Sequence, residues 1–380
     1  MGIEKIDIDQ FLELSKDYPV FDVRSPGEYK HAHIPGACSL PLFTDEERSI
    51  VGTAYKQKSR EVAIKIGLDF FGPKMKKIVE KVENIIDNGQ WAIGKNVLSE
   101  SGYSQLPIAN CILLYCWRGG MRSAGVAWLL DLYGFKVYSL VGGYKNFRNY
   151  VIETFKLPFN FKILGGYTGS GKTELLKALQ KKGEKIIDLE ELANHKGSAF
   201  GNIGMPEQPG QEMFENLLSC ELRALNYEQN SDVAGIPPSG GGAWLEDESQ
   251  RIGRVNIPSG LWSVMRKSPV YFLHIPFEER LKHLEQEYGR LDKQSMINGI
   301  KRISEKLGGL NAKTAIQFLE EGKIAESFNI LLKYYDKYYL KALHNRENIN
   351  SLLTTINCET VTPENAGYLT GLSQYQHENH

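Results

Sequence analysis

Short, nearly continuous apolar runs alternate along the chain with longer stretches whose apolar residues recur three and four positions apart. The first pattern predicts strands buried on both faces, and the second predicts helices. In the N-terminal part the strand-like runs are PVFDVRS, CSLPLF, CILLYCW and KVYSLVG. SPGEYKHAHIPGA, between the first two, reads as a loop rich in Pro, Gly and His. TDEERSIVGTAYKQKSREVAIKIG opens with the capping residue Thr44. GPKMKKIVEKVENIIDNG places Ile78, Val79, Val82, Ile85 and Ile86 on one helical stripe, with Lys74, Lys76 and Lys77 as a solvated face. Together these two stretches predict a helical insertion at about 44–100. After CILLYCW a helix is expected, capped by Ser123 and packed through Val126, Trp128, Leu129 and Leu130.

Beyond residue 155 the alternation resumes with FKILG, EKIIDLEEL, GGGAWLED and SPVYFLHIP as strands and MFENLLSCELRALNYEQN and PFEERLKHLEQEYG as helices. Residues 293 to 345 read as helical throughout, with Tyr334, Tyr335, Tyr338 and Tyr339 at helical spacing and assigned to the core. Strands alternating with helices mean an α/β protein with parallel sheets and sites at the strands' carboxyl ends. Two domains follow, 1–152 and 153–380, the second with a helical C-terminal part.

Composition changes this picture little. At 380 residues, 42% hydrophobic and 24% charged, the chain has the profile of a globular protein with room for two or three cores. A net charge of −1 excludes global basicity, so a nucleic-acid ligand needs a local basic patch. Five cysteines without a repeated spacing make neither a disulfide framework nor a zinc site and fit a reducing cytoplasm. His31 and His33 lack matching ligands and read as loop or packing residues. The N-terminal MGIEKIDID has no apolar secretory core, and no run approaches membrane-spanning length.

Two stretches carry chemistry. Cys116 ends an apolar strand, and Trp117, Arg118, Gly119, Gly120 and Met121 lead to Arg122 and a helix. A loop between strand and helix N-terminus turns backbone N–H groups toward an anion. Those groups, with Arg118 and Arg122 nearby, would favour the thiolate form of Cys116 as a nucleophile. The second stretch is Gly166, Tyr167, Thr168, Gly169, Ser170, Gly171, Lys172 and Thr173, which matches G-x-x-x-x-G-K-[ST] between a strand and a helix. Its backbone can wrap a diphosphate, Lys172 can reach the outer oxygens, and Thr173 can hold Mg²⁺. Asp188 at a strand end is a candidate outer partner for Mg²⁺, acting through another ligand and not directly. Glu246 and Asp247, followed by Arg251 and Arg254, read equally as a metal-binding strand end with a phosphate grip or as a surface salt-bridge network. Lys145, Arg148, Arg251, Arg254, Arg266 and Lys267 are candidate RNA phosphate contacts by residue type alone.

DVRSPGEYKHAHIPGA followed by a strand-end cysteine loop resembles the rhodanese sulfurtransferases, whose loop cysteine carries a persulfide or its selenium equivalent. The five residues between Cys116 and Arg122, with Gly119 third after the cysteine, also resemble the cysteine phosphatases. That wider loop suits a tetrahedral oxyanion. Fusion to a phosphate-binding loop, together with YCWRGGMRS, DLEELANHKGSAFG and WLEDESQRIGRVNIP, is similar to the tRNA 2-selenouridine synthase family. The resemblance implies a cytoplasmic transferase acting on tRNA with 2-thiouridine at the wobble position. It implies replacement of sulfur by selenium from selenophosphate, through an S-geranylated intermediate made from geranyl diphosphate. A selenophosphate-producing enzyme is then an implied partner. The rival expectation is a rhodanese or cysteine-phosphatase-like enzyme whose P-loop domain binds a regulatory nucleotide.

Overall fold

The computed structural model describes residues 2–89, 91, 111–227, 242–289 and 291–375. The chain divides between Glu153 and Thr154 into two compact units.

The first unit is built on β1 (Ile3–Ile6), β2 (Val20–Asp22), β3 (Cys38–Ser39), β4 (Cys111–Tyr115) and β5 (Lys136–Leu140), in the order β1-β5-β4-β2-β3. Every pairing is parallel. The central strand β4 keeps Ile112, Leu113 and Leu114 wholly buried, because helices cover both faces of a parallel sheet. The helices are α1 (Ile8–Leu14), α2 (Pro26–His31), α3 (Asp45–Gln57), α4 (Arg60–Phe71), α5 (Met75–Asp87), α6 (Met121–Tyr133) and α7 (Gly143–Thr154).

Several expectations need correction here. SPGEYKHAHIPGA contains the helix α2, because Ser25 and Glu28 cap it reciprocally and Pro26 pre-sets its first turn. CSLPLF is regular strand only at Cys38 and Ser39, although Leu40 N still donates to Asp22 O at 2.8 Å. The helix after β4 begins at Met121, so Ser123 lies within its first turn and does not cap it. Trp128 is exposed, while Val126, Leu129 and Leu130 face the core. In the insertion, α5 seats Ile78, Val79, Val82 and Ile85 in that core. Lys74 is paired with Glu47, so it is not simply solvated. The far end of the insertion, from residue 92, lies outside the described residues.

The second unit holds β6 (Phe161–Gly166), β7 (Ile186–Ile187), β8 (Ala243–Glu246), the antiparallel pair β9 (Arg251–Ile252) and β10 (Val255–Asn256), then β11 (Val270–His274) and β12 (Leu353–Asn357). Its five-stranded sheet runs β12-β11-β6-β8-β7, all parallel. The helices are α8 (Lys172–Lys181), α9 (Leu189–Ala193), α10 (Gln211–Tyr227), α11 (Ser259–Lys267), α12 (Phe277–Tyr288), α13 (Lys293–Leu307), α14 (Gly309–Glu320), α15 (Ile324–His344), α16 (Ile349–Leu352) and α17 (Ala366–Tyr375). The stretch expected to be helical throughout is thus three helices, broken at Gly308 and at Gly322, both of which take positive φ. Ile300, Leu319, Leu331 and Leu332 form a helical core, and Leu175, Leu179, Trp244 and Leu273 belong to a second core at the sheet. Among the described residues no helix is long and apolar enough to cross a membrane.

Candidate functional site

Both chemical stretches sit where a central parallel strand hands over to a helix. Cys116 follows β4 and is buried. Its Sγ accepts the Gly120 N–H at 3.2 Å and lies 3.2 Å from Ser123 Oγ. Ser123 donates its own proton to the Gly120 carbonyl at 2.9 Å. The misplaced cap is therefore a neighbour of the sulfur, poised to turn its proton toward a thiolate.

The loop is buttressed by α7. Tyr144 N donates to Cys116 O at 2.8 Å, and Lys145 N donates to Trp117 O at 3.0 Å. Gly143, at φ +58°, lies so close that a Cβ would stand 2.3 Å from Cys116 O. No side chain fits there. Beneath the loop, Arg24 forms a buried pair with Asp22 at 2.6 Å and stacks 3.8 Å from the Tyr144 ring centre. Tyr115 donates to the same Asp22 carboxylate at 2.8 Å.

Trp117, Arg118, Gly120 and Met121 are exposed on the loop. Arg122 is engaged elsewhere: its guanidinium donates to Glu28 at 2.7 Å, and Arg48 approaches the same carboxylate at 3.1 Å. Burial alone would raise the Glu28 pKa. The hydrogen bond and charge of Arg122, aided by Ser25 N–H and Arg48, instead pull it down to about 2. The expectation that Arg122 acts directly on the thiol is thus altered, because an internal carboxylate occupies its fork.

The phosphate-binding loop runs from Gly166 to Thr173, from the last residue of β6 into the first turn of α8. Gly169 and Gly171 take φ +81° and +69°, which turns the chain back on itself. Lys172 Nζ donates to Gly166 O at 3.3 Å, its one hydrogen bond among the described residues. Ser170 donates to Tyr167 O at 2.7 Å. Arg280, buried behind the loop, donates to Thr168 O at 3.1 Å and pairs with Asp336 at 2.8 Å. A cavity of about 630 Å³ opens over the loop.

The carboxylates divide between two tasks. Asp247 accepts the Tyr339 hydroxyl at 2.8 Å and pairs with Arg346, so it is structural. Glu246 is buried and lines the cavity with Glu190 and Glu248, and their carboxylate oxygens lie within 4.8 Å of one another. Thr173 donates to Glu190 at 3.3 Å. Burial first, and then the charge of Glu190, push the Glu246 carboxyl up to about 8. Burial and mutual repulsion push Glu190 and Glu248 in the same direction. Among the described residues Glu246 Oε1 has no hydrogen-bond partner. Three crowded oxygen donors, one of them orphaned, fit a divalent cation beside Thr173. Asp188 caps α9 by accepting Glu191 N–H at 2.8 Å on Oδ1, while among the described residues its buried Oδ2 has no hydrogen-bond partner.

Glu190 and Glu248 were not singled out from the sequence. Their signal is an acidic residue two or three positions past each of β7 and β8, the two successive strands on one side of the P-loop strand. Arg251 and Arg254 lie in the β9–β10 hairpin, bound to the carbonyls of Gly253 and Gln208, and neither lines the cavity. The four tyrosines are not simply core. Tyr339 accepts the Gly166 N–H at 3.1 Å, Tyr335 accepts the Ala199 N–H at 3.2 Å, and Tyr338 is exposed. His33 stacks on Tyr29 at 3.9 Å, and among the described residues neither His31 nor His33 belongs to a metal-ligand cluster.

Comparison with known proteins agrees with this architecture. Residues 7–150 match the rhodanese-like domain family, and residues 159–361 match the tRNA 2-selenouridine synthase AAA domain. A tRNA 2-selenouridine synthase of Bdellovibrio bacteriovorus is 33% identical over 91% of this chain and 94% of its own length. One from Hydrogenovibrio crunogenus is 33% identical over 85% of this chain and 89% of its own. Among solved structures, the N-terminal domain of a protein described as ATP/GTP-binding, from Clostridium difficile 630, is 35% identical over 39% of this chain and 99% of that domain, with a TM-score of 0.31. With two family matches in tandem and relatives aligned over most of their length, this chain belongs to the tRNA 2-selenouridine synthase family.

Proposed function

We propose that this protein replaces the sulfur of wobble 2-thiouridine in tRNA by selenium, in the cytoplasm, using geranyl diphosphate and selenophosphate as co-substrates. The observation that carries the proposal is the pair of anion-cradling loops, each at the carboxyl end of a central parallel strand, in a chain of this family.

The first step belongs to the P-loop. The thiocarbonyl sulfur attacks C1 of the geranyl group, a C–S bond forms, the C–O bond breaks and diphosphate leaves. The backbone of Gly166–Thr173 and the Lys172 ammonium take up the charge that grows on the departing oxygens. Glu190, Glu246, Glu248 and Thr173 would hold Mg²⁺, which when bound offsets diphosphate charge.

The second step belongs to Cys116. Alkylation has turned the sulfur into a leaving group, so selenium can form a bond to C2 while geranyl thiolate departs. Water then cleaves the selenium–phosphorus bond and releases phosphate. The loop from Cys116 to Arg122 holds the donor's oxyanion, with the Gly120 N–H and the Arg118 and Arg122 guanidinium groups as the charge partners. Arg122 must exchange Glu28 for the donor to do so. The target base lies in a single-stranded anticodon loop, which lowers the cost of unstacking it.

The test is mass spectrometry of nucleosides from 2-thiouridine tRNA incubated with protein, Mg²⁺ and both co-substrates. Lys172→Ala is expected to stop geranylation, and Cys116→Ala to leave geranylation intact while stopping selenation of pre-geranylated tRNA. The reverse pattern would refute this division. The rival phosphatase reading predicts hydrolysis of aryl phosphates by the wild type. The Arg122–Glu28 pair bears on both readings alike, since each needs that guanidinium for an oxyanion.

A further inference from the structure

The cavity over the P-loop is larger than a diphosphate requires. At about 630 Å³ it lies within the range of roughly 300–1,000 Å³ that encloses whole small molecules. Its polar side is accounted for by the loop, Lys172 and the three glutamates. Another side is dominated by aromatic side chains. There α11 contributes Trp262 and Arg266, and α15 contributes Tyr338 and Ala342.

Within each pair the residues are four apart, so they lie on one helical face and present adjacent side chains. Arg266 donates to Ala342 O at 3.1 Å and stands 5.7 Å from the Trp262 ring centre, which ties the two helices into one wall. Tyr338 is backed by the Tyr334 ring at 4.6 Å yet remains 44% exposed. The next residue, Tyr339, bonds to the N–H of Gly166, the first residue of the loop. The aromatic wall therefore begins where the loop begins, whereas Glu190 bonds to Thr173, where the loop ends.

We infer that this wall is the seat of an apolar tail carried by the diphosphate bound at the P-loop, a short branched hydrocarbon clasped between Trp262 and Tyr338. The inference rests on the assignment of the P-loop to a prenyl diphosphate and adds the residues that would select the tail. Half-open aromatic faces beside a phosphate cradle gain most from an apolar ligand that covers them. Arg266, whose guanidinium is turned to a carbonyl, serves the wall as a brace.

Calorimetric titration of the full-length protein in Mg²⁺ with geranyl diphosphate, inorganic diphosphate and ADP tests this. The wild type is expected to bind geranyl diphosphate at least about tenfold more tightly than inorganic diphosphate, the gain from burying a tail on an aromatic wall. Trp262→Ala is expected to erase that preference while leaving inorganic diphosphate binding unchanged, and Trp262→Phe to keep most of it. Equal geranyl diphosphate affinity in Trp262→Ala and wild type would overturn the inference, as would tighter binding of ADP than of geranyl diphosphate. If Trp262→Ala also loses inorganic diphosphate, Tyr338→Ala decides by the same criterion. A wild type that binds none of the three would refute the P-loop assignment itself, and this inference with it.

Discussion

The two loops share a plan and differ in electrostatics. Each joins a buried central strand to a helix N-terminus, and each turns on glycines that have no room for a side chain or take positive φ. At the cysteine loop one of the two arginines is already matched, since Arg122 is held by Glu28, and the sulfur is held by Gly120 N–H. At the P-loop the lysine reaches only a backbone carbonyl, and three carboxylates crowd the opposite wall. One loop is balanced and closed, and the other has charge to spare. The difference shows that a shared loop architecture does not fix a shared readiness for ligand. The surrounding carboxylates decide whether a cradle must give something up before it binds.

The largest expected effect is at the unbalanced loop. Lys172→Ala should weaken diphosphate binding by about 10- to 100-fold, the usual worth of a hydrogen bond to a charged group. Titration with inorganic diphosphate measures it, and an effect under about threefold would mean the lysine is not the loop's main cation. Next comes the buttress of the balanced loop. Gly143→Ala should destabilise the first unit by about 2–4 kcal/mol, because the new Cβ meets the Cys116 carbonyl in a backbone conformation already costly for alanine. Urea denaturation reports it, and near-wild-type stability would show that α7 and the loop are not locked together.

Glu28→Gln should cost about 1–2 kcal/mol by weakening the Arg122 pair and the α2 cap. It should also tighten binding of thiophosphate, used as a stable surrogate for the selenium donor. Weaker binding instead would mean that Glu28 orients Arg122 for the anion and does not compete with it.

The smallest effect concerns pH, and its sign differs between the loops. Glu28 is depressed to about 2, so its stabilisation is present above the ordinary carboxyl value of 4.5 and is lost as pH falls toward 2. Glu246 is raised to about 8, so its contribution is present below 4.5 and is lost as pH rises through 8. Mg²⁺ competes with that proton. It should raise the Tm of the metal-stripped protein by about 2–4 °C at about pH 8.5, and by less at about pH 6. An equal shift at both values would place the cation away from the glutamates.

The strands, both chemical loops and the order of the two units were legible because each follows from local patterning. The apolar run before Cys116 and the glycine spacing before Lys172 need no tertiary information. What escaped depends on contacts distant in sequence. Glu28 lies 94 positions from Arg122, and Tyr339 lies 173 from Gly166, so no local pattern links either pair. Asp188, the acid nearest the strand end, caps the next helix, and Glu190, two residues on and not marked by the strand-end pattern, reaches Thr173. β1 and β12 went unread because edge strands expose much of their surface and mix polar with apolar residues.

That late edge strand has a consequence for how the protein is made. β12 enters the sheet beside β11 about 180 residues after Thr173 has left the ribosome. At ~5–20 residues per second, this is an interval of roughly 10–40 s. For most of it the nascent P-loop lacks Tyr339, and from the completion of β11, about 80 residues before β12 begins, the edge of β11 stands unpaired toward any neighbouring chain. Premature termination before Leu353 would leave that edge open permanently, so truncated chains should aggregate instead of surviving as smaller, working P-loop proteins.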